Sequence, residues 1–386
     1  MIRSAQDAEL GELSAISAWA FGATREDAAA WWSAAGQEHA RVAISGGHVA
    51  GGLLEIPMGQ WFGGRSVPMV GVAGVCVAPE ERGRGVAAGL MRALLKELAS
   101  RGVPLSALYP ATHTLYRSVG YEQAGSRFRA RLEPAKLPMS ERDLPIARVS
   151  DADFESIAAA YARDARGRPG YLDRGDYAWN RVRNPRGEPA HAWVVAPGGQ
   201  VEGYVYMTQK RGKGMHYDLG LTDIVANTPR AARRLLALLA DQRSLADCVI
   251  WHTGPSDSLL AVLPERIYEL KLSDYFMLRL IDVKAALRAR GYAPVLTAEL
   301  DLEIDDPLLP HNQGRVRLRI ADGAGEIEPG GAGSLRVSER GLAALYAGFL
   351  SAHALKRAGL VDGDDRALET ATAVFAGPAP AMSDHF

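Results

Sequence analysis

The turn Arg82–Ala87 has the residue types and the spacing to bind a phosphate group. It follows the apolar segment Val72–Val77 and opens a helix predicted over Val86–Ala99. Gly83 and Gly85 carry no Cβ, so their backbone can come close to a ligand. The first N–H groups of a helix have no helical partner and favour an anion. The turn therefore predicts a site for a pyrophosphate.

Tyr116 is a second residue whose type suits chemistry, and it stands shortly before Gly120 and Tyr121. A phenol can give a proton to a departing group, and such acid catalysis is typically worth about 10²–10⁴-fold. The alternative is a core aromatic at the start of a helix, and this alternative holds for Tyr121 as well. In either case a buried hydroxyl needs a hydrogen-bond partner. Together with the turn, Tyr116 predicts a proton donor beside an anion site.

These residues resemble the GNAT superfamily of acyl-CoA-dependent N-acetyltransferases. The signature of that superfamily is Arg/Gln-x-x-Gly-x-Gly/Ala, which is matched by Arg82, Gly85 and Ala87 between a strand and a helix. The spacing of Tyr116 to Gly120 matches as well, and it favours the proton donor over the core aromatic. The alternative for the turn is an ordinary strand–helix connection that happens to be rich in glycine. The resemblance implies acetyl-CoA as the acyl-donor cosubstrate and no metal.

Composition indicates an enzyme of several domains that acts on small molecules. The 386 residues suit about two or three domains, and an apolar content of 47% is ample for packed cores. The formal net charge of −1 gives no basic field for nucleic acid, and no lysine run predicts a membrane surface. Cys76 and Cys248 lie in apolar stretches, which is typical of buried thiols in a reducing compartment. The acidic start of the chain is unlike a secretory signal, so we expect a cytoplasmic location.

An internal repeat predicts a second GNAT-like unit. The segment Ala40–Gly51 reappears as Ala192–Gly203, and each copy has the pattern of a hairpin whose two apolar runs meet across Gly-Gly. When the ends of the following strands are aligned, Arg233 falls opposite Gly85, so a bulky side chain replaces a glycine of the turn. We therefore predict that the second unit binds no CoA.

A third region is predicted to combine a sheet with helices. From near Pro294, apolar residues alternate over 296–304 and 316–320, which is the period of half-buried antiparallel strands. Helices are predicted over Glu339–Ala358 and Arg366–Phe375, and the proline-bearing final residues are predicted to form an extended tail. The predicted domains are 1–135, 146–290 and 294–386.

This three-part layout resembles the enhanced intracellular survival (Eis) family of acetyltransferases. The resemblance implies an α/β (α+β) fold class, with tandem GNAT folds followed by a sterol carrier protein-like α+β domain. The N-terminal GNAT fold is implied to be active and the central one degenerate. The resemblance also implies a homo-oligomer, a hexamer in that family, and substrates that are primary amines, such as those of aminoglycosides. Two alternatives stay open: N-acetylation of polyamines or protein lysines, and a lipid-binding or scaffold protein with a vestigial acetyltransferase site.

The Eis resemblance further implies roles for individual residues. Tyr116 takes the position of the general acid, and the terminal carboxylate of Phe386 takes that of the general base. Trp31 and His385 are implied to line the substrate pocket, with the C-terminal tail reaching the active site. The implied cofactor contacts are Val75, Cys76, Val77, Gly83, Arg84, Gly85, Val86, Ala87, Ala88, Ala111 and Thr112.

Three of these assignments have ordinary alternatives. Phe386 can be a frayed terminus, Trp31 plain core, and His385 a solvated tail residue. His385 can also act as a base, since an unperturbed histidine pKa of about 6.5 suits neutral pH. His385 stands where the family often carries an acid, and no acid occurs at 22–24. A less acidic pocket attracts polycationic aminoglycosides less strongly.

Overall fold

The computed structural model of the chain describes residues 2–138 and 140–386. Its strands are β1 (Ile2–Ser4), β2 (Ala40–Ser45), β3 (His48–Phe62), β4 (Arg65–Val77), β5 (Leu105–Leu108), β6 (Glu122–Leu132), β7 (Ala147–Arg148), β8 (Leu172–Asp173), β9 (His191–Val195), β10 (Gly203–Arg211), β11 (Tyr217–Ala226), β12 (Ala246–Thr253), β13 (Tyr268–Leu280), β14 (Ala298–Asp305), β15 (Gly314–Ala321), β16 (Ala324–Pro329), β17 (Leu335–Ser338) and β18 (Val361–Gly363). Its helices are α1 (Asp7–Phe21), α2 (Arg25–Ala35), α3 (Val86–Ser100), α4 (His113–Arg117), α5 (Phe154–Ala165), α6 (Asp176–Arg183), α7 (Pro229–Ala240), α8 (Ser258–Ala261), α9 (Val283–Ala289), α10 (Glu339–Ala347), α11 (Ala352–Arg357) and α12 (Asp365–Val374).

These elements form two compact units. The first comprises the residues up to Gly125, Tyr275–Pro378 and Phe386, and the second comprises Ser126–Asp274 and Ala379–His385. Over the described residues, no helix is both long and apolar enough to cross a bilayer.

The sheet of the first unit has the order β1-β2-β3-β4-β5-β13. Strands β4 and β5 are parallel, while β3 with β4 and β5 with β13 are antiparallel. Helix α3 follows β4, and its apolar residues recur every three or four positions, which gives it one buried face. The buried residues of that face are Leu90, Met91, Leu94, Leu95 and Leu98.

Strands β4 and β5 diverge at Gly71. They pair only where Met69–Gly71 faces Leu105–Ala107, and β4 then continues to Val77 without β5 beside it. An unpaired strand edge presents backbone N–H and C=O groups to a ligand. The divergence therefore leaves a gap that has strand backbone along one wall.

The second unit repeats part of this plan. Its sheet has the order β6-β12-β11-β10-β9-β7, with β11 and β12 parallel. The two predicted hairpins are confirmed as β2–β3 and β9–β10. Both hairpins turn at a pair of glycines with positive φ, Gly46 and Gly47 in the first and Gly198 and Gly199 in the second. Glycine suits these positions because residues with a Cβ rarely adopt such angles.

The connection between β11 and α7 corrects the predicted alignment of Arg233 with Gly85. In the first unit the segment 78–85, which includes the turn, separates β4 from α3, whereas Asn227 and Thr228 alone join β11 to α7. The second unit thus lacks the turn, rather than having it blocked by Arg233. The Thr228 hydroxyl accepts a hydrogen bond at 3.1 Å from the amide of Ala231, the third residue of α7. Thr228 therefore caps the N-terminus of this helix. That the second unit binds no CoA stays a prediction.

The third region contains the sheet β16-β15-β14-β17-β18 and the helices α10 to α12. The predicted alternating strands are confirmed as β14 and β15. The single helix predicted over Glu339–Ala358 is wrong, because Gly348 ends α10 with a φ of 73° and the Ser351 hydroxyl caps α11. The helix predicted over Arg366–Phe375 is confirmed as α12, and residues 376–386 form no helix, as expected of an extended tail.

Candidate active site

The turn between β4 and α3 leaves its backbone open. Gly85 immediately precedes α3 with a φ of 79°, and Gly83 has a φ of 77°. A Cβ built on either glycine would have no atom within 4 Å, so the space in front of the turn is open. The first N–H groups of α3, at Val86, Ala87 and Ala88, have no acceptor within the helix. An anion can therefore approach both the turn and the helix N-terminus.

A buried acid that the sequence analysis missed lies directly before the turn. Glu81 is 6% exposed, and its carboxylate lies 3.3 Å from Nε2 of His48 and 3.4 Å from Nη1 of Arg84. A negative charge beside an anion site opposes binding unless a cation compensates it. Arg84, a predicted cofactor contact, provides that compensation here. In the sequence Glu81 is one of two adjacent acids and reads as ordinary charged surface.

Strand β4 carries a bulge at Gly74, on which Trp31 packs. Gly74 has a φ of 61°, and the register of β4 on β3 shifts beside it. A Cβ at Gly74 would lie 2.4 Å from the Trp31 ring. The neighbouring Trp32 is 2% exposed and belongs to the core. Trp31 therefore packs on the bulge, whereas Trp32 is a core residue. The sequence signal for the bulge was a glycine inside a strand.

The other predicted cofactor contacts lie at the end of β4 and just beyond β5. Val75 and Val77 are half-buried at the end of β4, and Ala111 and Thr112 are exposed between β5 and α4. Cys76 is buried, and burial raises the pKa of its thiol to about 12, so the thiol stays protonated. Only the backbone of Cys76 is therefore suited to contact a ligand.

Tyr116 lies in α4 and is 5% exposed. Burial raises the pKa of its hydroxyl to about 12. Tyr121 is fully buried, and its hydroxyl lies 2.7 Å from Oγ of Ser106, which donates to the Val70 carbonyl at 2.8 Å. The structure therefore makes Tyr121 a core residue with a satisfied hydroxyl.

Phe386 is buried at the point where β4 and β5 diverge. It is 7% exposed, and a Cβ built on Gly71 would lie 2.6 Å from its ring. Its ring centroid lies 6.0 Å from that of Tyr109, which follows β5. The alternative of a frayed terminus is therefore wrong, and the last residue of the chain lies in the same unit as Tyr116 and the turn.

Comparisons with known proteins agree with this geometry. Residues 1–124 and residues 170–280 each match an acetyltransferase (GNAT) domain, and residues 283–383 match a sterol carrier protein domain. An uncharacterized N-acetyltransferase of Streptomyces avermitilis is 31% identical over 319 residues, which cover 78% of this chain and 76% of that protein. The N-acetyltransferase Eis of Mycobacterium tuberculosis is 28% identical over 353 residues, which cover 82% and 80%.

Two solved structures extend the likeness to the whole chain. A GCN5-related N-acetyltransferase from Anabaena variabilis superposes with a TM-score of 0.96 at 35% identity, and Eis1 from Mycobacterium abscessus with a TM-score of 0.80 at 25% identity. Each match covers 100% of both chains.

This chain belongs to the Eis family of GNAT acetyltransferases. The predicted fold class is thereby confirmed: tandem GNAT domains followed by a sterol carrier protein-like domain. The predicted enzyme class, an acyltransferase, is confirmed as well. A GNAT domain implies acetyl-CoA as the acyl donor.

His385, the tail residue that the Eis resemblance implies in the substrate pocket, lies in the second unit. The other predicted site residues lie in the first. His385 lines a cavity of about 470 Å³ together with His252, Asp257 and the α7 end of β11. His385 is an exposed residue, yet its pKa is lowered to about 4, first by desolvation in the cavity and then by the cation of Arg127. His385 is thus neutral at pH 7 and a weaker base than its unperturbed pKa suggested.

No group of side chains suited to hold a metal ion occurs within residues 2–138 and 140–386.

The first unit of this Eis-family chain contains most of the predicted site residues. They are Trp31, Val75, Cys76, Val77, Gly83, Arg84, Gly85, Val86, Ala87, Ala88, Ala111, Thr112, Tyr116 and Phe386.

Proposed function

We propose that this protein transfers the acetyl group of acetyl-CoA to a primary amine of a small molecule. Tyr116 protonates the departing thiolate, and the terminal carboxylate of Phe386 accepts the proton of the amine. The observation that carries the proposal is the gap between β4 and β5. An open glycine turn lies at the end of the β4 wall, and Phe386 packs where the gap begins.

The chemistry requires both proton transfers. An amine with a pKa of about 10.4 is mostly ammonium at neutral pH, so it must lose a proton before or during attack. The amine nitrogen then bonds to the thioester carbon, the carbon–sulfur bond breaks, and the sulfur leaves with the electron pair. Because the pKa of Tyr116 is raised to about 12, its hydroxyl is protonated at neutral pH and can supply the proton that the thiolate takes.

The chain's own residues fit acetyl-CoA at this site. The turn presents Gly83 and Gly85 with free space before them, which a pyrophosphate requires. The backbone of Val75–Val77 can pair with the amide groups of a pantetheine arm as an added strand would. We propose that Arg84, Val86, Ala87, Ala88, Ala111 and Thr112 complete the cofactor contacts.

For the acceptor we propose the class that the Eis resemblance implies, primary amines such as those of aminoglycosides, with Trp31 in the pocket. The pocket role that the resemblance implies for His385 stays a prediction. We also propose a homo-oligomer, a hexamer as in that family. The cytoplasmic location and the predicted domain boundaries stay predictions.

A thiol-release assay with acetyl-CoA tests this function. The panel contains aminoglycosides, polyamines, arylalkylamines and lysine peptides, and size-exclusion chromatography with light scattering reports the oligomeric state. We expect turnover of small primary amines. In Tyr116→Phe, and in a chain that lacks Phe386, we expect kcat to fall about 10²-fold or more while acetyl-CoA still binds.

Tyr121→Phe is the matched control for the tyrosine. It also removes a buried hydroxyl, but one that contacts Ser106 in the core, so it costs about 1 kcal/mol of stability and leaves kcat near the wild-type value. Wild-type rates in both Tyr116→Phe and the truncated chain would overturn the assigned roles. Turnover of lysine peptides alone would move the function to a protein acetyltransferase.

A further inference from the structure

Small residues line one face of the first unit's sheet at the inner end of the gap between β4 and β5. Gly71 is the last residue of β4 that pairs with β5, and Ala107 is its partner. Side chains alternate between the two faces along a strand, so both residues face away from Val70 and Val72, which belong to the core that includes α3. A glycine and an alanine together leave space on this face.

Two side chains from elsewhere in the first unit occupy this space. A Cβ built on Gly71 would lie 2.6 Å from Cε2 of Phe386 and 2.7 Å from Cε of Met58. Carbon atoms that are not bonded to each other lie about 3.5–4.0 Å apart at their best separation. The inner end of the gap therefore has no room for one further carbon atom beside Gly71.

Both of these side chains are held in place within the first unit. Met58 lies in β3 directly opposite Met69 of β4, which is 2% exposed. The Phe386 ring is buried, and its centroid lies 6.0 Å from that of Tyr109. All four residues belong to this unit. Met58 and the Phe386 ring thus form a wall at the inner end of the gap, which we call the Met58–Phe386 wall.

The position of this wall matters for a thioester that binds along β4. Under the proposed function, the pantetheine arm pairs with the free edge of β4 between Val77 and Gly71. The arm cannot extend past Gly71, because toward Met69 that edge is already paired with β5. The acyl group at the end of the arm is then expected beside Gly71, against the Met58–Phe386 wall.

We propose that Met58 and the Phe386 ring determine which acyl group this enzyme transfers, by admitting acetyl and excluding longer acyl groups. This inference rests on the proposed function, and it concerns the ring of Phe386 rather than the proposed base. One methylene in an apolar pocket changes kcat/KM by about 10- to 200-fold. Because a methionine side chain is flexible and adapts to its surroundings, we expect the lower value, with kcat/KM for propionyl-CoA about 10-fold below that for acetyl-CoA.

Met58→Ala tests this role, because it removes the part of the wall that lies on β3. The kcat/KM values for acetyl-CoA and propionyl-CoA are measured with one amine that the wild type acetylates. We expect the ratio of the two values, propionyl over acetyl, to rise about 10-fold above the wild-type ratio. Both values come from one preparation, so a partly unfolded sample does not change the ratio. Isothermal titration without amine should show the Kd ratio of the two donors shifting in the same direction.

Met91→Ala is the matched control. Met91 of α3 is fully buried in the core on the other face of β4. The substitution removes the same atoms as Met58→Ala, so it should lower the melting temperature but leave the ratio at the wild-type value. Met91→Leu takes its place if the alanine variant does not fold.

The outcomes separate this inference from the proposed function. Equal use of propionyl-CoA and acetyl-CoA by the wild type, or a wild-type ratio in Met58→Ala, would overturn the inference and leave the proposed function intact. A shift of the same size in Met91→Ala would overturn it as well, because any loosening of the unit would then suffice. No turnover by the wild type with either donor, across the whole amine panel, would instead overturn the proposed function, and the inference would fall with it.

Discussion

Tyr116 and Tyr121 show that burial does not by itself give a tyrosine its role. Both are nearly inaccessible, with exposures of 5% and 0%, and their ring centroids lie 6.2 Å apart. The Tyr121 hydroxyl is hydrogen-bonded to Ser106, whose hydroxyl donates to the Val70 carbonyl in the part of β4 that pairs with β5. Tyr116 instead lies on the short helix that follows Ala111 and Thr112, the predicted cofactor contacts. Its role as the general acid stays a prediction.

The raised pKa of Tyr116 gives a prediction for the pH dependence. A general acid must be protonated, and a pKa of about 12 keeps this hydroxyl protonated until the pH approaches that value. An unperturbed tyrosine, with a pKa of about 10, would already be half ionised near pH 10. We therefore expect kcat/KM for acetyl-CoA at saturating amine, which reports the enzyme–amine complex, to stay level between about pH 8 and 10.

Rate measurements across this range, with circular dichroism as the check on folding, decide the matter. A decline to half the plateau value near pH 10 would show that the hydroxyl is not desolvated as the structure describes, or that another group limits the rate.

Single residues were predictable where a local rule acts. The glycines of the turn have a positive φ and open space in front of them. Both properties were predictable, because the sequence has glycine at these positions. The packing of Trp31 on Gly74 was not predictable, because the glycine signals only the bulge and not which helix packs on it. Nor was the contact between Glu81 and His48, which lies at the start of β3.

At the scale of elements, the strand–turn–helix unit β4–α3 carries the proposed binding function. The buried apolar face of α3 fixes the helix on the sheet, and the divergence of β5 leaves the β4 edge unpaired. The turn joins the two with Gly85 as the residue before the helix. The order of these elements was predictable from periodicity, whereas the divergence is a property of strand pairing that no single strand reveals.

Gly85→Ala tests this unit. An alanine at a φ of 79° costs about 1–3 kcal/mol of strain, and its relief would turn the turn's amides away from the phosphate. Since about 1.4 kcal/mol is tenfold in affinity, we expect the KM for acetyl-CoA to rise about 10-fold or more. Isothermal titration with CoA should show the same loss.

Gly102→Ala is the matched control, because Gly102 lies just beyond the other end of α3. It has a φ of 67°, and a Cβ there also meets no atom within 4 Å. The same strain should lower its melting temperature but leave the KM for acetyl-CoA unchanged. Equal losses of affinity in both variants would mean that helix stability, and not the turn, governs binding.

The third region shows the same limit on sequence analysis. Its strands β14 and β15 were predictable from alternation, but one predicted helix is two. Gly348 ends α10 because it can take a left-handed conformation, and Ser351 then starts α11. Both signals are present in the sequence, where helical periodicity continues across them.

At the scale of the molecule, Glu122 joins parts of the first unit that are far apart in the chain. Its carboxylate lies 2.6 Å from Arg117 of α4 and 2.5 Å from Arg340 of α10. The same unit packs Leu309 of the third region into the core below Tyr116 and Tyr121. The sterol carrier protein-like region therefore forms part of the structure that supports the proposed acid.

The charge of Glu122 predicts how this support depends on pH. Burial alone would raise its pKa, but the hydrogen bonds from Arg117, its neighbouring amide and Arg340 outweigh burial, and the pKa is lowered. A carboxyl whose pKa is lowered on folding stabilises the protein above its unfolded pKa, and that stabilisation is lost as the pH falls through the folded value. We expect Glu122→Gln to cost about 1–3 kcal/mol at pH 7.

Melting temperatures of the wild type and Glu122→Gln between pH 7 and about pH 3 measure this dependence, because the difference should shrink below the ordinary glutamate pKa of about 4.3. Glu328→Gln is the control, since its pair with Arg319 is 43% and 49% exposed and should contribute less than about 1 kcal/mol at any pH. A difference for Glu122→Gln that stays constant down to pH 3 would contradict the charge-based account. It would show that the glutamine side chain destabilises the protein through its shape and not through its missing charge. Packing alone would then hold the third region to the rest of the first unit.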